Sequence, residues 1–379
     1  MASYRIPQTG IEIREVRSRR ELKTFLRFPW KIYERDPHWV PPLLKEQAFH
    51  FSPKNPFLKH AEIVPFVALK DGIVAGRIAA IVDRNYIDYQ REKVGFFGFF
   101  ECIRDITVAQ TLLEHVKNQV RNKGMEGLLG PLNPSTNDEC GLLVEGFDAP
   151  PFFMMPHNPP YYRDLLEQCG LHKVKDLFAN LIVDDGSIPA RIVRVHDRVR
   201  KRLSGLNIRS INMKMLHDEV QKFQEIYNEA WRDNWGFVPP TAEELDVMIK
   251  RLRPLTDPDL ALFAEVGTEP VAFALALPNY NVVLKRLNGT LGLLGLLKFF
   301  YFSRKIDEMR ILLLGVKSRY QKRGLETLLY VEIFRRGQKK GYQRGEMSWI
   351  LEDNHLMQKG IEALGGRKYK TYRIYQCSL

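Results

Sequence analysis

The feature of this sequence that most clearly predicts chemistry is a short basic loop that opens directly into a helix. An apolar run over residues 309–316 predicts a buried strand; a QKRG loop at 321–324 follows, and apolar periodicity predicts a helix from Leu325. Such a helix start directs unpaired backbone N–H groups and the positive end of the helix dipole at one point. The segment therefore predicts a diphosphate cradle with Gly324 at the point of closest approach; the alternative is an ordinary solvated loop. Positive charge around the ligand would come from Lys317, Arg319, Lys322 and Arg323.

The sequence lacks the residue patterns of several other enzyme classes. It contains no GxxxxGK[ST] loop, no GxSxG turn and no HExxH or CxxC metal-binding pair. The nine histidines are scattered and the four cysteines are not spaced as zinc ligands, so we predict no metal site and no disulfide scaffold. Sparse cysteines and an amino-terminal segment without an apolar signal core predict a protein of the reducing cytoplasm.

Five residues around the basic loop stand at the spacing of a known family motif. Val316, Tyr320, Gln321, Gly324 and Leu325 match V-x-x-x-Y-[QR]-x-x-G-[ILV]-[GA]. This pattern resembles the acyl-coenzyme A motif of the GNAT (GCN5-related N-acetyltransferase) superfamily, and the resemblance extends over roughly residues 207–376. It implies acetyl-CoA or a longer acyl-CoA as co-substrate. By resemblance, the diphosphate and the pantetheine arm would lie on Leu314, Gly315, Val316, Gln321, Lys322, Arg323, Gly324, Leu325 and Glu326.

Two positions depart from the family pattern. Glu326 stands where the motif usually has Gly or Ala, and a carboxylate there must point away from the diphosphate or compete with it for the helix end. Ile361 stands where many members of the family place a tyrosine that protonates the leaving thiolate. The resemblance thus implies a cofactor without supplying the usual acid.

The two halves of the chain repeat each other at an offset of about 196 residues. Residues 39–42 (WVPP) correspond to residues 237–240 (FVPP), and each half ends with an Asn followed twelve residues later by a Gly. The repeat extends the resemblance to the first half, and the resemblance then implies an α/β fold of two tandem GNAT-like domains, each with a mixed, mostly antiparallel sheet flanked by helices. The alternative is two similar α/β units whose spacing coincides by chance.

The repeat also predicts where the chain divides. We expect a degenerate GNAT-like domain at 1–187, a basic linker helix at 188–205 that breaks at Ser204, and a second GNAT domain at 206–379. The first half has no [QR]-x-x-G loop after its fourth strand, so it is not predicted to bind coenzyme A. Its expected role is to form one side of the acceptor cleft and to stabilise the second half.

Acyl transfer to an amine requires a base for the amine and a group that polarises the thioester carbonyl. Glu308, before the fourth strand of the second half, and Glu346, on the fifth, are the candidate bases, and Asn354 could bind the thiol or the end of the pantetheine. A solvated carboxylate is the alternative for each acid. We predict that Trp231, Trp235 and Phe237 line the acceptor pocket. The alternative is that these aromatic residues pack in the core.

Net charge favours a polyanionic partner without choosing among them. The chain carries 57 basic and 45 acidic residues, a formal charge of +12. Because the linker segment lacks interleaved aromatic residues, nucleic-acid binding is not predicted. The predicted function is acyl-CoA-dependent N-acyl transfer, in the first place N-acetyl transfer, to an unidentified amine by a monomer or homodimer. The alternative is a non-catalytic protein that retains coenzyme A binding for sensing or interaction.

An apolar insertion, residues 282–307, interrupts the second half. Its middle, residues 291–302, is too short to span a membrane and contains Lys298, so stable membrane insertion is not predicted. We predict a buried helix, with an interfacial helix as the alternative. The insertion is expected to pack against the first half or form a dimer contact rather than to line a tunnel for the acyl chain.

Overall fold

The computed structural model of the protein describes residues 4–5, 10–184, 186, 189–203 and 205–379. The predicted boundary at 187/188 and the predicted break at Ser204 lie outside these residues. The chain divides into two compact units. The first unit comprises the residues up to Leu177 together with Val283–Phe300 and Lys370–Leu379, and the second unit comprises Phe178–Val282 and Tyr301–Tyr369. Each unit is therefore discontinuous, unlike the contiguous domains 1–187 and 206–379 that the repeat predicts.

The first half of the chain contains both strands and helices, and its longest helix spans Ile106–Arg121. In chain order they are β1 (Tyr4–Arg5), β2 (Ile11–Glu15), α1 (Arg19–Arg27), α2 (Pro29–Ile32), α3 (Leu44–Phe49), β3 (Ala61–Lys70), β4 (Ile73–Asp83), α4 (Arg84–Gln90), β5 (Val94–Cys102), α5 (Ile106–Arg121), β6 (Gly127–Gly130), β7 (Leu132–Asn133), β8 (Glu139–Cys140), β9 (Leu142–Glu145), α6 (Tyr161–Gln168) and β10 (His172–Val183).

The second half follows a similar order, with two helices instead of one after its β-hairpin. Its elements are α7 (Ala190–Arg202), β11 (Leu206–Ser210), α8 (Leu216–Trp231), α9 (Ala242–Leu252), β12 (Ala261–Val266), β13 (Glu269–Pro278), α10 (Asn281–Leu287), α11 (Leu293–Ser303), β14 (Glu308–Val316), α12 (Leu325–Lys339), β15 (Arg344–Leu351), α13 (His355–Ala363) and β16 (Arg367–Ser378).

The sheet of the first unit has the strand order β1-β2-β3-β4-β5-β6, followed by β16. β5 and β6 are parallel, whereas the pairings along β1 to β5 and between β6 and β16 are antiparallel. From Lys370 onward, β16 thus closes this sheet instead of the second domain, to which we assigned the terminal strand. The apolar side of α5 is fully buried, as its periodicity predicts, through Val108, Leu112, Val116 and Val120.

The sheet of the second unit runs β15-β14-β13-β12-β11, with β14 and β15 parallel and the other pairs antiparallel. Alternate residues of β13 point to opposite faces. Ala272 and Ala274 join the core beneath α12, whereas Phe273 and Leu275 face α8 and α9. Helices therefore cover both faces, and the predicted mixed α/β fold with two similar units is confirmed.

The predicted basic linker helix is present as α7. It packs against α12 and buries Ile192, His196 and Val199, while Arg194 and Arg198 are exposed. This helix is therefore an integral part of the second unit, held by an apolar stripe that its basic residues obscure in the sequence.

The insertion is only partly buried, and the prediction of a buried apolar helix is wrong. Its first part packs within the first unit: Trp30 donates a hydrogen bond from Nε1 to Asn288 Oδ1 (2.8 Å), and the Leu44 N–H bonds to the Gly289 carbonyl. This agrees with the expected packing against the first half. No residue of α11 is buried, however.

Candidate active site

In the second unit, the pairing of β14 with β15 ends part-way along β14. The two strands pair only from Glu308 opposite Arg344 to Ile311 opposite Met347. The next residue, Leu312, is an extra residue in the ladder with β13, because Ile311 pairs with Ala276 and Leu313 with Leu275. Such a bulge bends and twists its strand, which moves β14 away from its neighbour. We call the opening beyond Leu312 the cleft.

One edge of β14 is unpaired along the cleft. Residues 312–316 keep their hydrogen-bonded neighbour β13 on one side, but in the described pairings no strand continues on the β15 side. Leu312, Leu313 and Leu314 are accordingly half-buried, although the apolar run predicted a strand covered on both faces. Apart from the Val316 carbonyl, which accepts from Gln321, the N–H and C=O groups on this edge can bind an extended ligand that carries amides, as an added strand would.

The end of β14 leads into the predicted anion cradle. After a 3₁₀ turn at Ser318–Tyr320, the chain reaches Gly324, the N-cap of α12, whose φ of +88° is in the left-handed region. Gly324 has no side chain that could cap the helix, so the N-cap residue itself leaves the amides of the first turn uncovered. Gln321 fixes the loop by donating from Nε2 to the Val316 carbonyl at 3.0 Å.

Glu326 does not point away from the cradle. Burial raises the pKa of its carboxyl, and hydrogen bonds from the backbone amides of Glu326 and Lys322 offset part of this shift. The carboxylate therefore lies on amides that a diphosphate would use. Of the two outcomes that the sequence left open for this side chain, the second therefore holds: its carboxylate competes for the helix end, where the glycine N-cap supplies no side-chain partner.

The positive charge around the cradle differs from the predicted set. Lys317 is buried and pairs with Glu225 and Glu269, and Arg319 also pairs with Glu269. These two basic residues therefore tie the loop to α8 and β13. Lys322 and Arg323 are exposed and remain positioned to meet an anion at the helix start.

One of the three predicted pocket aromatics reaches the cleft strand. The ring of Trp231 lies against Gly315 so closely that a Cβ at this glycine would be 2.1 Å from it. Trp231 also stacks on Tyr227 at 4.7 Å between ring centroids. Phe237 is buried edge-on against Tyr227, which makes it a packing residue, and Trp235 is half-buried.

Glu346 is fully buried at the point where the cleft begins. It lies opposite Arg310 in the β14–β15 register, with the Arg310 Nε 3.6 Å from Oε1. Ser348, one residue beyond the last paired residue of β15, donates a hydrogen bond to Glu346 (2.6 Å) and accepts one from Arg310 (2.8 Å). Tyr369 donates to the second carboxylate oxygen. A charged residue inside the apolar run of β14 was the sequence signal for this network, but the predicted site did not include Arg310 or Ser348.

The remaining predicted residues, Glu308 and Asn354, lie at opposite ends of the β14–β15 pair. Glu308 begins β14 and is held by Asn279 (2.6 Å) and Arg344 (2.7 Å). Eight residues of strand, about 26 Å at 3.3 Å per residue, separate it from Val316. Asn354 is the N-cap of α13 and accepts from the Met357 N–H at 3.2 Å, beyond the end of β15 that borders the cleft. Ile361 is buried, so no acid stands at its position.

An apolar cavity of about 70 Å³ adjoins the cleft strand. It lies between the sheet and helices α8 and α9, and Leu313 belongs both to its wall and to the unpaired edge of β14. The apolar stripes of the two helices were the only signal for it in the sequence. Its other lining residues include Val220, Phe223, Met248, Ile249, Leu252, Phe273 and Leu275.

Comparison with known proteins identifies the family. No family model matches the sequence. The chain is 36% identical over 371 residues to Protein YghO of Escherichia coli, covering 96% of this chain and 94% of that protein. It is 36% identical over 373 residues to the bacterial ceramide synthase of Caulobacter vibrioides, covering 96% of each. The chain belongs to the family of these two proteins.

Solved structures agree on the fold. A GCN5-related N-acetyltransferase from Sphaerobacter thermophilus has a TM-score of 0.56 at 14% identity, covering 99% of this chain and 97% of that one. A tandem GNAT protein from the clavulanic acid biosynthesis pathway has a TM-score of 0.58 at 12% identity, covering 97% and 98%. The predicted tandem GNAT fold is confirmed.

The family and the fold together support acyl transfer, with acyl-CoA as the co-substrate that the GNAT fold uses. The cleft fits this co-substrate, since uncapped amides can meet the diphosphate and the unpaired edge of β14 can meet the pantetheine amides. The Glu326 carboxylate opposes the fit, because it competes for the amides of the cradle. In the described part of the chain, no helix has the length and apolar character needed to cross a bilayer.

Proposed function

We propose that this chain is an acyl-CoA-dependent N-acyltransferase that joins a long fatty acyl group to the amine of a long-chain amino alcohol. The observation that carries the proposal is Leu313, which belongs both to the cleft edge and to the apolar cavity. The Caulobacter relative is a ceramide synthase, and a ceramide is an amide of this kind. The proposal narrows the predicted N-acetyl transfer to transfer of a longer chain.

The reaction requires two proton movements and one carbonyl site. The amine nitrogen forms a bond to the thioester carbonyl carbon, the carbon–sulfur bond breaks, the amine loses a proton and the sulfur gains one. We assign polarisation of the carbonyl to the N–H groups of the β14 edge, which β15 does not pair. We assign removal of the amine proton to Glu346 through the Ser348 hydroxyl, and contact with the pantetheine end to Asn354.

The apolar cavity is assigned to the acyl chain. Because Leu313 follows the bulge residue Leu312, a thioester held at the bulge would direct its chain past Leu313. Each methylene buried there would contribute roughly 0.8 kcal/mol, about a fourfold gain in affinity. Affinity should therefore rise from acetyl- to octanoyl- to palmitoyl-CoA until the cavity is full.

A second function, coenzyme A binding without catalysis, is favoured by two observations. The Glu326 carboxylate occupies the cradle amides, and Ile361 supplies no acid for the thiolate. Such a protein would bind acyl-CoA and respond to it without forming an amide.

Turnover with palmitoyl-CoA and sphinganine separates the two functions. We expect an amide product by mass spectrometry, with one free thiol released per amide. Glu346→Gln should lower kcat about 100-fold or more while leaving palmitoyl-CoA affinity nearly unchanged. Calorimetric binding of palmitoyl-CoA with no amide from any long-chain amine would establish the non-catalytic function instead.

The chain-length assignment has its own test. Val220→Phe should fill the cavity, reducing the advantage of palmitoyl-CoA over acetyl-CoA in competition binding by tenfold or more. Val183→Phe, at an exposed strand position, is the matched control and should leave the series unchanged. Equal affinity of the wild type for all three thioesters would refute the assignment of the cavity.

A further inference from the structure

Helix α11 presents to solvent an apolar surface that is not covered by other described residues. Leu293 is 87% exposed, Leu294 76%, Leu297 68% and Phe300 64%. Single exposed leucines are common on protein surfaces, but a contiguous apolar patch marks an interaction site. The patch comprises one turn after another of the same helix, so it is a single surface.

The exposed residues share one side of the helix. At 100° per residue, Leu293, Leu297 and Phe300 lie within about 60° of one another, flanked by Leu294 and Tyr301 on one side and Leu296 on the other. Gly295, Phe299 and Phe302 lie on the opposite side and are half-buried. One apolar side of the helix is therefore half-buried and a second apolar side faces outward. In an ordinary surface helix the outward side is polar.

Positive charge surrounds this apolar side. Residues 282–307 contain five basic residues and one acidic residue, Asp307. Lys298 is exposed beside the leucines, and Arg304 and Lys305 follow the carboxy-terminal end of the helix. Lys305 donates to the Tyr301 hydroxyl at 2.7 Å and lies 4.3 Å from its ring centroid, which places a cation at the border of the apolar surface.

We propose that α11 is an interfacial helix that lies in the surface of an anionic lipid bilayer, with its leucines among the acyl chains and its basic residues at the headgroups. An exposed apolar face with flanking basic and aromatic residues is the composition that such helices have. The eleven residues of α11 are too few to cross the bilayer, so the helix lies on it. This inference does not depend on the proposed reaction.

A second copy of this chain is the competing occupant. In a two-fold dimer each residue meets the same surface of its partner, so the basic residues around the two helices would be brought close together. Like charges next to an apolar interface destabilise it. A bilayer with anionic headgroups offers the opposite charge, and the formal charge of +12 on the whole chain adds long-range attraction.

Vesicle flotation tests the proposal with the full chain and no substrate. Vesicles of phosphatidylcholine with 30% phosphatidylglycerol should carry the protein, and vesicles of phosphatidylcholine alone should carry at least about tenfold less. Leu294→Gln with Leu297→Gln should lower partitioning to the anionic vesicles about tenfold or more. The matched control, Ile73→Gln with Val183→Gln, changes residues that are 64% and 62% exposed and should have no effect. Lys298→Glu with Arg304→Glu should remove most of the salt-sensitive binding.

A fluorescent label reports whether α11 itself enters the lipid. All four cysteines, Cys102, Cys140, Cys169 and Cys377, are buried, so Leu297→Cys supplies the accessible thiol for an environment-sensitive dye. Its emission should shift to the blue on adding anionic vesicles, whereas a dye at Ile73→Cys should not shift. Overturning results would be no flotation of the wild type, equal flotation of the leucine variant, or a concentration-dependent dimer that this variant abolishes.

Discussion

Each half of the chain has a strand that leads into a helix beside a parallel neighbouring strand, β5 into α5 and β14 into α12. We call each of these places a corner, and the two corners differ in what contacts their backbone groups. In the first unit, β5 pairs in parallel with β6 only over Val94–Phe96, and a register shift in its ladder with β4 follows. In the second unit, β14 pairs with β15 over four residues and its bulge follows at Leu312. Both corners therefore open a wedge between two parallel strands at the same place in the fold.

The first wedge is filled by the chain itself. The Leu132 carbonyl on β7 lies against Gly98, where a Cβ would be 1.8 Å from it, and the Phe99 N–H donates to Asn133 Oδ1 at 2.6 Å. Asp105 caps α5 by accepting from the amides of Thr107 and Val108. In the second unit Gly324 caps α12 without a side chain, and the β14 edge is unpaired.

The partners of the exposed backbone groups decide whether such a corner binds a ligand or only supports the fold. The same backbone groups, a strand edge and the first amides of a helix, need partners in both units. The first unit supplies them from an asparagine, a backbone segment and an aspartate. The second unit leaves them to a ligand, apart from the amides that Glu326 takes. We therefore expect one coenzyme A site per chain, in the second unit.

The largest expected effect is that of Gly324→Glu on coenzyme A binding. The new side chain would enter the diphosphate position with a like charge and strain a backbone with φ of +88°, so affinity should fall at least about 100-fold. Isothermal titration should give one site in the wild type and none in the variant. Gly124→Glu, at a left-handed glycine with open space after α5, is the control for strain. Two equal sites, or unchanged affinity, would break the comparison.

Alanine at the two wedge glycines should separate a filled corner from an open one. A Cβ at Gly98 meets a backbone carbonyl at 1.8 Å, whereas a Cβ at Gly315 meets the ring of Trp231, a half-buried side chain that can shift. Gly98→Ala should therefore lower the free energy of unfolding by about 3 kcal/mol and Gly315→Ala by about 1 kcal/mol. Urea denaturation measures both. Equal costs would show that the second corner is as tightly packed as the first.

Local patterns were readable from the sequence because neighbouring residues determine them. The spacing of the motif residues predicted the loop and helix at Gly324, and the internal repeat predicted a similar order of elements in the two halves. The partners of Lys317 and Arg319 were not readable, since Glu225 and Glu269 lie far from them in sequence. Strand exchange by β16 was also hidden, because a strand pattern does not name its neighbour. For α11, apolar residues on every side carry no periodicity that separates burial from exposure.

Glu326→Gln tests whether the charge of this carboxylate weakens coenzyme A binding at the open corner. Removing the charge that competes for the cradle amides should strengthen coenzyme A binding about tenfold. Burial raises the pKa of this carboxyl above its ordinary value, so wild-type affinity should increase as the pH falls through that raised pKa and the group is neutralised. Titrations over pH 5 to 8 measure both effects. The phosphates of coenzyme A titrate equally with both proteins, so the Glu326→Gln variant is the control for their contribution. If the affinities of the two proteins depended on pH in the same way, the role of Glu326 would be contradicted.

The smallest effect is expected at the cap that closes the first corner. The hydrogen bond from Lys70 lowers the pKa of Asp105, and the amides of Val108 and Thr107 lower it further. A carboxyl whose pKa is lower in the folded state contributes stability above its unfolded pKa and loses it as the pH falls through the folded value. Asp105→Ala should therefore cost about 1 kcal/mol of unfolding free energy at neutral pH, and the cost should shrink below about pH 4. Coenzyme A affinity should not change, because the cap belongs to the filled corner. Chemical denaturation at pH 7 and pH 3 checks the first expectation and calorimetry the second; a new coenzyme A site in this variant would show that Asp105 alone had closed the corner.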